Sequence, residues 1–166
     1  MGDSEMFSAS IWLSVICVGL LVGIVFGLRL YFSDKYQTKI AKDKITKYFD
    51  FLFERGFTIE KVEYSPNPNG AWLAVLKSDQ CKIRVIQDRG DIYCEVAPAW
   101  ASDKKFEDLA PMIARIEKAD KNKYYPQTRR NIDIQLEYYA KLIDTHLSQI
   151  VILLDSYPKL LYKTIE

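Results

Sequence analysis

Histidine is nearly missing from this chain: His146 is the only one in 166 residues. A metal site needs several converging ligands, and no Cys or Asp pair stands at ligand spacing from His146. A packing or surface role is expected for it, and no metal site. Cysteine is scarce too. Of the three, Cys17 falls in an apolar N-terminal run, which leaves Cys81 and Cys94, too few for a secreted disulfide framework. Reduced thiols are the simpler expectation, although both residues fall on adjacent predicted strands and a bridge between them is conceivable. The chain also lacks a Gly-rich phosphate loop, a G-x-S-x-G elbow and a C-x-x-C pair. No residue pattern argues for catalysis or for a cofactor. Asp88, Asp91 and Glu95 are acids on one predicted hairpin, better placed as turn and surface residues than as a catalytic set.

Charge is missing altogether from residues 6–28, 23 positions between Glu5 and Arg29. The segment Ile11 to Leu28, IWLSVICVGLLVGIVFGL, is apolar on every face. At about 1.5 Å per residue it spans a hydrocarbon core of about 30 Å. A transmembrane helix over residues 9–32 is therefore expected, after a short extracytoplasmic N-terminus of residues 1–8. A cleavable signal peptide is the competing reading, but it needs a basic n-region, and MGDSEMFSAS holds Asp3 and Glu5 with no Lys or Arg. All 23 Lys and Arg lie at or after Arg29 with 20 of the 22 acids, a net charge of +3. Arg29, Lys35, Lys39, Lys42, Lys44 and Lys47 follow the span directly. Basic flanks stay on the cytoplasmic side, which predicts a single-pass protein of the cell (inner) membrane, its N-terminus outside and its domain cytoplasmic. Within the span, Gly19, Gly23 and Gly27 share one helix face, where the absence of side chains lets another helix approach. The expected partners there are the lipid bilayer and either a membrane protein or a second copy of the chain.

From Arg29 to Arg55 there is neither Gly nor Pro, so the helix can continue into the cytoplasm, with residues 33–44 as a polar helical stalk. A domain over residues 45–166 follows. Ile45, Tyr48, Phe49, Leu52 and Phe53 recur at helical spacing and bury a face, and Gly56 is a C-cap. The period then changes to two. TIEKVEY, AWLAVLK, CKIRVIQ and IYCEVAP read as four strands joined by short turn-rich connections, so neighbours are antiparallel. After Pro98, Ser102 can cap the helical segment DKKFEDLAPMIARIEK, with Pro111 interrupting it or opening its second half after Asp108. The last helix carries Leu136, Ala140, Ile143, Leu147, Ile150 and Leu154 at steps of four and three, a stripe broad enough to pack on its own sheet. The fold class is α+β, a four-stranded antiparallel meander flanked by helices in the order α-β-β-β-β-α-α. This order is similar to that of small α+β modules common among bacterial proteins, including toxin-immunity proteins.

Arg89-Gly90-Asp91 is the tripeptide that extracellular ligands present to integrins, yet on the cytoplasmic side it reads as a hairpin turn. A two-residue turn sets Val85 against Cys94, Ile83 against Val96, Arg84 against Glu95 and Ile86 against Tyr93. A three-residue loop with Gly90 at a bulge would instead set Ile83 against Glu95. Trp72, Tyr93 and Trp100 are candidates for a protein-binding surface, since Trp and Tyr carry much interface energy. Lys121, Lys123, Tyr124, Tyr125, Arg129 and Arg130 mix cations with aromatics as headgroup contacts do. Diluting acids and a near-neutral chain argue against nucleic acid. The function expected is a non-catalytic accessory or scaffold subunit with a cytosolic protein-binding domain. The alternative is a membrane-tethered immunity or defence protein that occludes a toxin or effector.

Overall fold

The short connections between strands bring each strand beside its predecessor. In the computed structural model, which describes residues 34–65, 71–102, 105–128 and 131–156, the strands are β1 (Thr58–Ser65), β2 (Ala71–Lys77), β3 (Cys81–Asp88), β4 (Asp91–Pro98) and β5 (Glu107–Asp108). They form one antiparallel sheet in the order β1-β2-β3-β4-β5. The architecture is thus α+β, with five strands where the period-two pattern shows four. β1 carries a bulge between Ile59 and Lys61. A bulge and the charges of Glu60, Lys61 and Glu63 make this open edge a poor template for another strand.

The β3–β4 hairpin closes on a two-residue turn. Arg89 and Gly90 both take positive φ, 52° and 87°, as a turn matched to strand twist requires. Val85 pairs with Cys94, Ile83 with Val96, Arg84 with Glu95 and Ile86 with Tyr93. The bulged alternative is not adopted. This register also separates the thiols: Cys94 faces Val85, while Cys81 faces Pro98 at the far end of the hairpin. Four residues along a strand is about 13 Å, well beyond disulfide reach. Both cysteines are free and buried.

The chain divides into two compact units, residues 1–36 and 37–166. Residues 34–36 are helical; the expected membrane span, with Gly19, Gly23 and Gly27, lies outside the described residues. Among the described residues no helix is long and apolar enough to cross a membrane.

In the second unit, helix α1 (residues 37–48) bends at Phe49, which has φ −118° and ψ 27°, before the short α2 (Asp50–Glu54). Gly56, at φ 83°, ends α2. Its N–H donates to the Phe53 carbonyl and that of Phe57 to Leu52 (3.1 and 3.0 Å), so two end carbonyls are satisfied and Phe57 folds back into the core. Ala41, Ile45, Phe49 and Leu52 form the buried stripe. Helix α3 (Leu109–Glu117) leads into a 3-10 helix (Lys121–Tyr124), and α4 (Ile132–Asp155) closes the unit. All six stripe residues of α4 named above are buried. They join Trp72, Ala74, Leu76, Ile83, Val85, Ile92 and Val96 in one core. Helices therefore cover one face of the sheet.

The segment after Pro98 departs from expectation. Glu107 and Asp108 pair with Val96 and Glu95 as β5, and the helix starts at Leu109 with Asp108 rather than Ser102 as its cap, the opening after Asp108 that Pro111 allowed. Two causes act together. Backbone groups on the outer edge of β4 need partners, and Asp108 caps the helix by accepting from the Ala110 N–H at 3.1 Å. Pro111 then falls in the first turn, where its missing N–H costs no helical bond.

Candidate protein-binding face

Cross-strand partners share a face, so the register sorts the side chains into rows. On the face opposite the helices, one row runs Glu63, Leu73, Ile86, Tyr93. The next runs Lys61, Val75, Arg84, Glu95, Asp108. These rows differ in cover. The Phe106 ring centroid lies 4.0 Å from the Arg84 guanidinium carbon, Arg84 Nε donates to Glu95 at 2.5 Å, and Val75 is only 3% exposed. In the first row Leu73 and Ile86 are partly exposed, and Tyr93 is 48% exposed. A cleft of about 440 Å³ between β1, β2 and β3 adjoins it, lined by Glu63, Tyr64, Trp72, Leu73 and Ile86 among others.

Acids border this apolar row. Glu63 ends it, paired with Lys61 at 2.9 Å, and Asp88 stands opposite Asp91 beside the turn. Directly opposed like charges cost a sheet stability. The arrangement becomes favourable when a cation approaches, so the face suits an apolar surface fringed with Lys or Arg.

Of the sequence candidates, only Tyr93 belongs to this row. Trp72 is turned to the helical side and is 6% exposed. Trp100 is 42% exposed in the turn after β4, at the opposite end of that strand from Tyr93. The three aromatics therefore do not form one patch. Alternation pairs Ile86 with Tyr93 but does not say which face of a two-faced sheet is covered, so Leu73 and Ile86 are not identifiable as a binding surface from sequence alone.

The cation and aromatic link divides in a similar way. Lys121 and Lys123 are exposed on the 3-10 helix, whereas Tyr124 is buried. The Tyr124 hydroxyl donates to Glu117, and the Tyr125 hydroxyl to Asp108 at 2.7 Å. Burial, then the Asp108 carboxylate, pushes the Tyr125 hydroxyl up to about 12. Arg129 and Arg130 lie outside the described residues. His146 is buried between two acceptors, Nδ1 2.9 Å from the Leu142 carbonyl and Nε2 2.6 Å from the Glu117 carboxylate. The Tyr124 hydroxyl first, and His146 second, hold Glu117 below the usual carboxylate range. This network staples the end of α3 and the 3-10 helix to α4. Among the described residues no three His, Cys, Asp or Glu side chains are grouped to hold a metal ion.

Comparison of the chain with protein-family models, curated proteins and solved structures found no match.

Proposed function

We propose that the chain is a single-pass membrane protein acting as a non-catalytic accessory or scaffold subunit, whose cytoplasmic α+β domain takes a protein partner on its outer sheet face. The uncovered row Leu73, Ile86 and Tyr93, beside acids that oppose one another across the hairpin, carries this reading. A half-exposed Tyr in an apolar row is the kind of anchor that dominates interface energies. The partner it fits presents apolar side chains with a basic fringe. Residues 9–32 serve as the anchor, and the Gly19, Gly23 and Gly27 face docks a second membrane helix. Holding both partners at one membrane site raises their effective concentration, so the subunit acts by bringing surfaces together.

The test is gentle extraction of the tagged full chain from its native membrane, with co-purifying proteins quantified for wild type, Tyr93→Asp, Ile86→Asp and Gly23→Ile. The outer-face substitutions should reduce one soluble partner about tenfold or more, as loss of an interface anchor does. Gly23→Ile should remove a membrane partner and leave the soluble one. A set of co-purifying proteins that neither Tyr93→Asp nor Ile86→Asp alters would refute the outer-face reading.

A further inference from the structure

The corner between α3 and the 3-10 helix carries a second feature, independent of the outer sheet face. Pro111, Ala114, Arg115 and Lys118 recur at steps of three and one, so they share one side of the α3 turn. With Ala119, Lys121 and Glu107 they line a cleft of about 390 Å³. Its floor is apolar, from Pro111, Ala114 and Ala119. Its rim holds three cations, Arg115, Lys118 and Lys121, against one carboxylate, Glu107. Arg115 engages Glu107 at 2.5 Å. Lys118 and Lys121 make no ion pair among the described residues, so two lysines line the cleft without a paired carboxylate there.

The backbone at Lys118 adds to this. It is left-handed, with φ 52° and ψ 44°, and lets the Ala119 N–H reach back to the Ala114 carbonyl at 3.0 Å. Glycine is the usual residue for such a cap, and a side chain there costs about 1 kcal/mol or more. The left-handed position carries one of the lysines that line the cleft. Strain of this kind concentrates where a ligand is gripped.

We propose that this cleft binds a phosphate ester. The two ammonium groups act as point charges on the phosphate, and the alanine and proline floor receives the carbon portion of the molecule. The same chemistry serves an anionic phospholipid headgroup or a soluble phosphate ester, and the two are separable by experiment.

The full chain in a neutral detergent would be titrated calorimetrically with glycerol 3-phosphate and, separately, with dioctanoyl phosphatidylglycerol, at constant ionic strength. At least one probe should bind, and the one that binds names the source. The double variant Lys118→Asn with Lys121→Gln should weaken that binding about tenfold or more, as loss of charge-assisted contacts does. Asn tolerates the left-handed backbone, and both lysines are exposed, so the fold should survive. Lys141→Gln, an exposed cation on α4, should leave affinity unchanged. The proposal is overturned if neither probe binds, if the double variant binds as tightly as wild type, or if Lys141→Gln weakens binding equally.

Discussion

Arg89 shows how far a single position can be read. Gly90 and the alternation on either side of it were enough to place the hairpin and to narrow its register to two, of which the structure adopts the two-residue turn that keeps the apolar side chains on one face. The same reading marks Arg as a poor choice for the first turn position, and the structure puts it at φ 52°. Among the described residues its one ion pair is a long one to Asp88, 3.9 Å, so little is lost on replacing it. Arg89→Asn should therefore stabilise the domain by about 0.5–1 kcal/mol, since Asn-Gly suits this turn. The check is the urea midpoint, and an unchanged or lower midpoint would contradict the turn assignment. Where a side chain matters through a distant partner, sequence is silent. No local pattern at Glu117 announces that it will bridge Tyr124 and His146.

At the scale of elements, the four longer strands were legible because each has alternation and a turn signal at both ends. β5 was not, since two residues have no period and its existence depends on the free edge of β4. Near the turn that edge meets a helix side chain. Gln135, at 2% exposure, accepts from the Ile92 N–H at 2.8 Å and donates to the Gly90 carbonyl at 3.2 Å. Its amide thus imitates a paired peptide unit, which explains a buried Gln beside the apolar stripe of α4. Gln135→Met keeps the volume and removes both bonds. It should cost about 1–3 kcal/mol, because the N–H of buried Ile92 is left without a partner. Hydrogen exchange at the Ile92 amide should accelerate with it, and exchange as slow as in wild type would show that another group closes the edge.

For the whole molecule, the helical stripes and strand alternation were enough to define the α+β class and most of the core. The binding face was only partly legible, since which side of the sheet the helices cover is decided by residues far apart in the chain. The network at the end of α3 makes global stability pH-dependent at both limits. Glu117 titrates below its ordinary 4.5, so its contribution is present above that value and lost as the pH falls through the depressed folded value. The Glu117 carboxylate first, and burial second, push the Tyr124 hydroxyl from 10.0 up to about 12. A raised value favours the protonated form, so this contribution is full below 10.0 and lost as the pH climbs to about 12. Stability of Tyr124→Phe should fall below wild type by a constant margin at neutral pH, and the margin should close over that alkaline window. A margin that persists to its upper end would place the stabilisation elsewhere. The ion pairs Lys44–Asp133 and Arg55–Asp144 each join residues 89 apart, and both run in the same chain sense, so the opening helices lie parallel to the closing one. During synthesis each strand of the meander meets its neighbour within a few residues, whereas α1 waits for α4, about 80 residues further along the chain. The sheet can thus pair early, but its helical side stays unsealed until α4 has left the ribosome, which makes that helix the step that commits the domain to its fold.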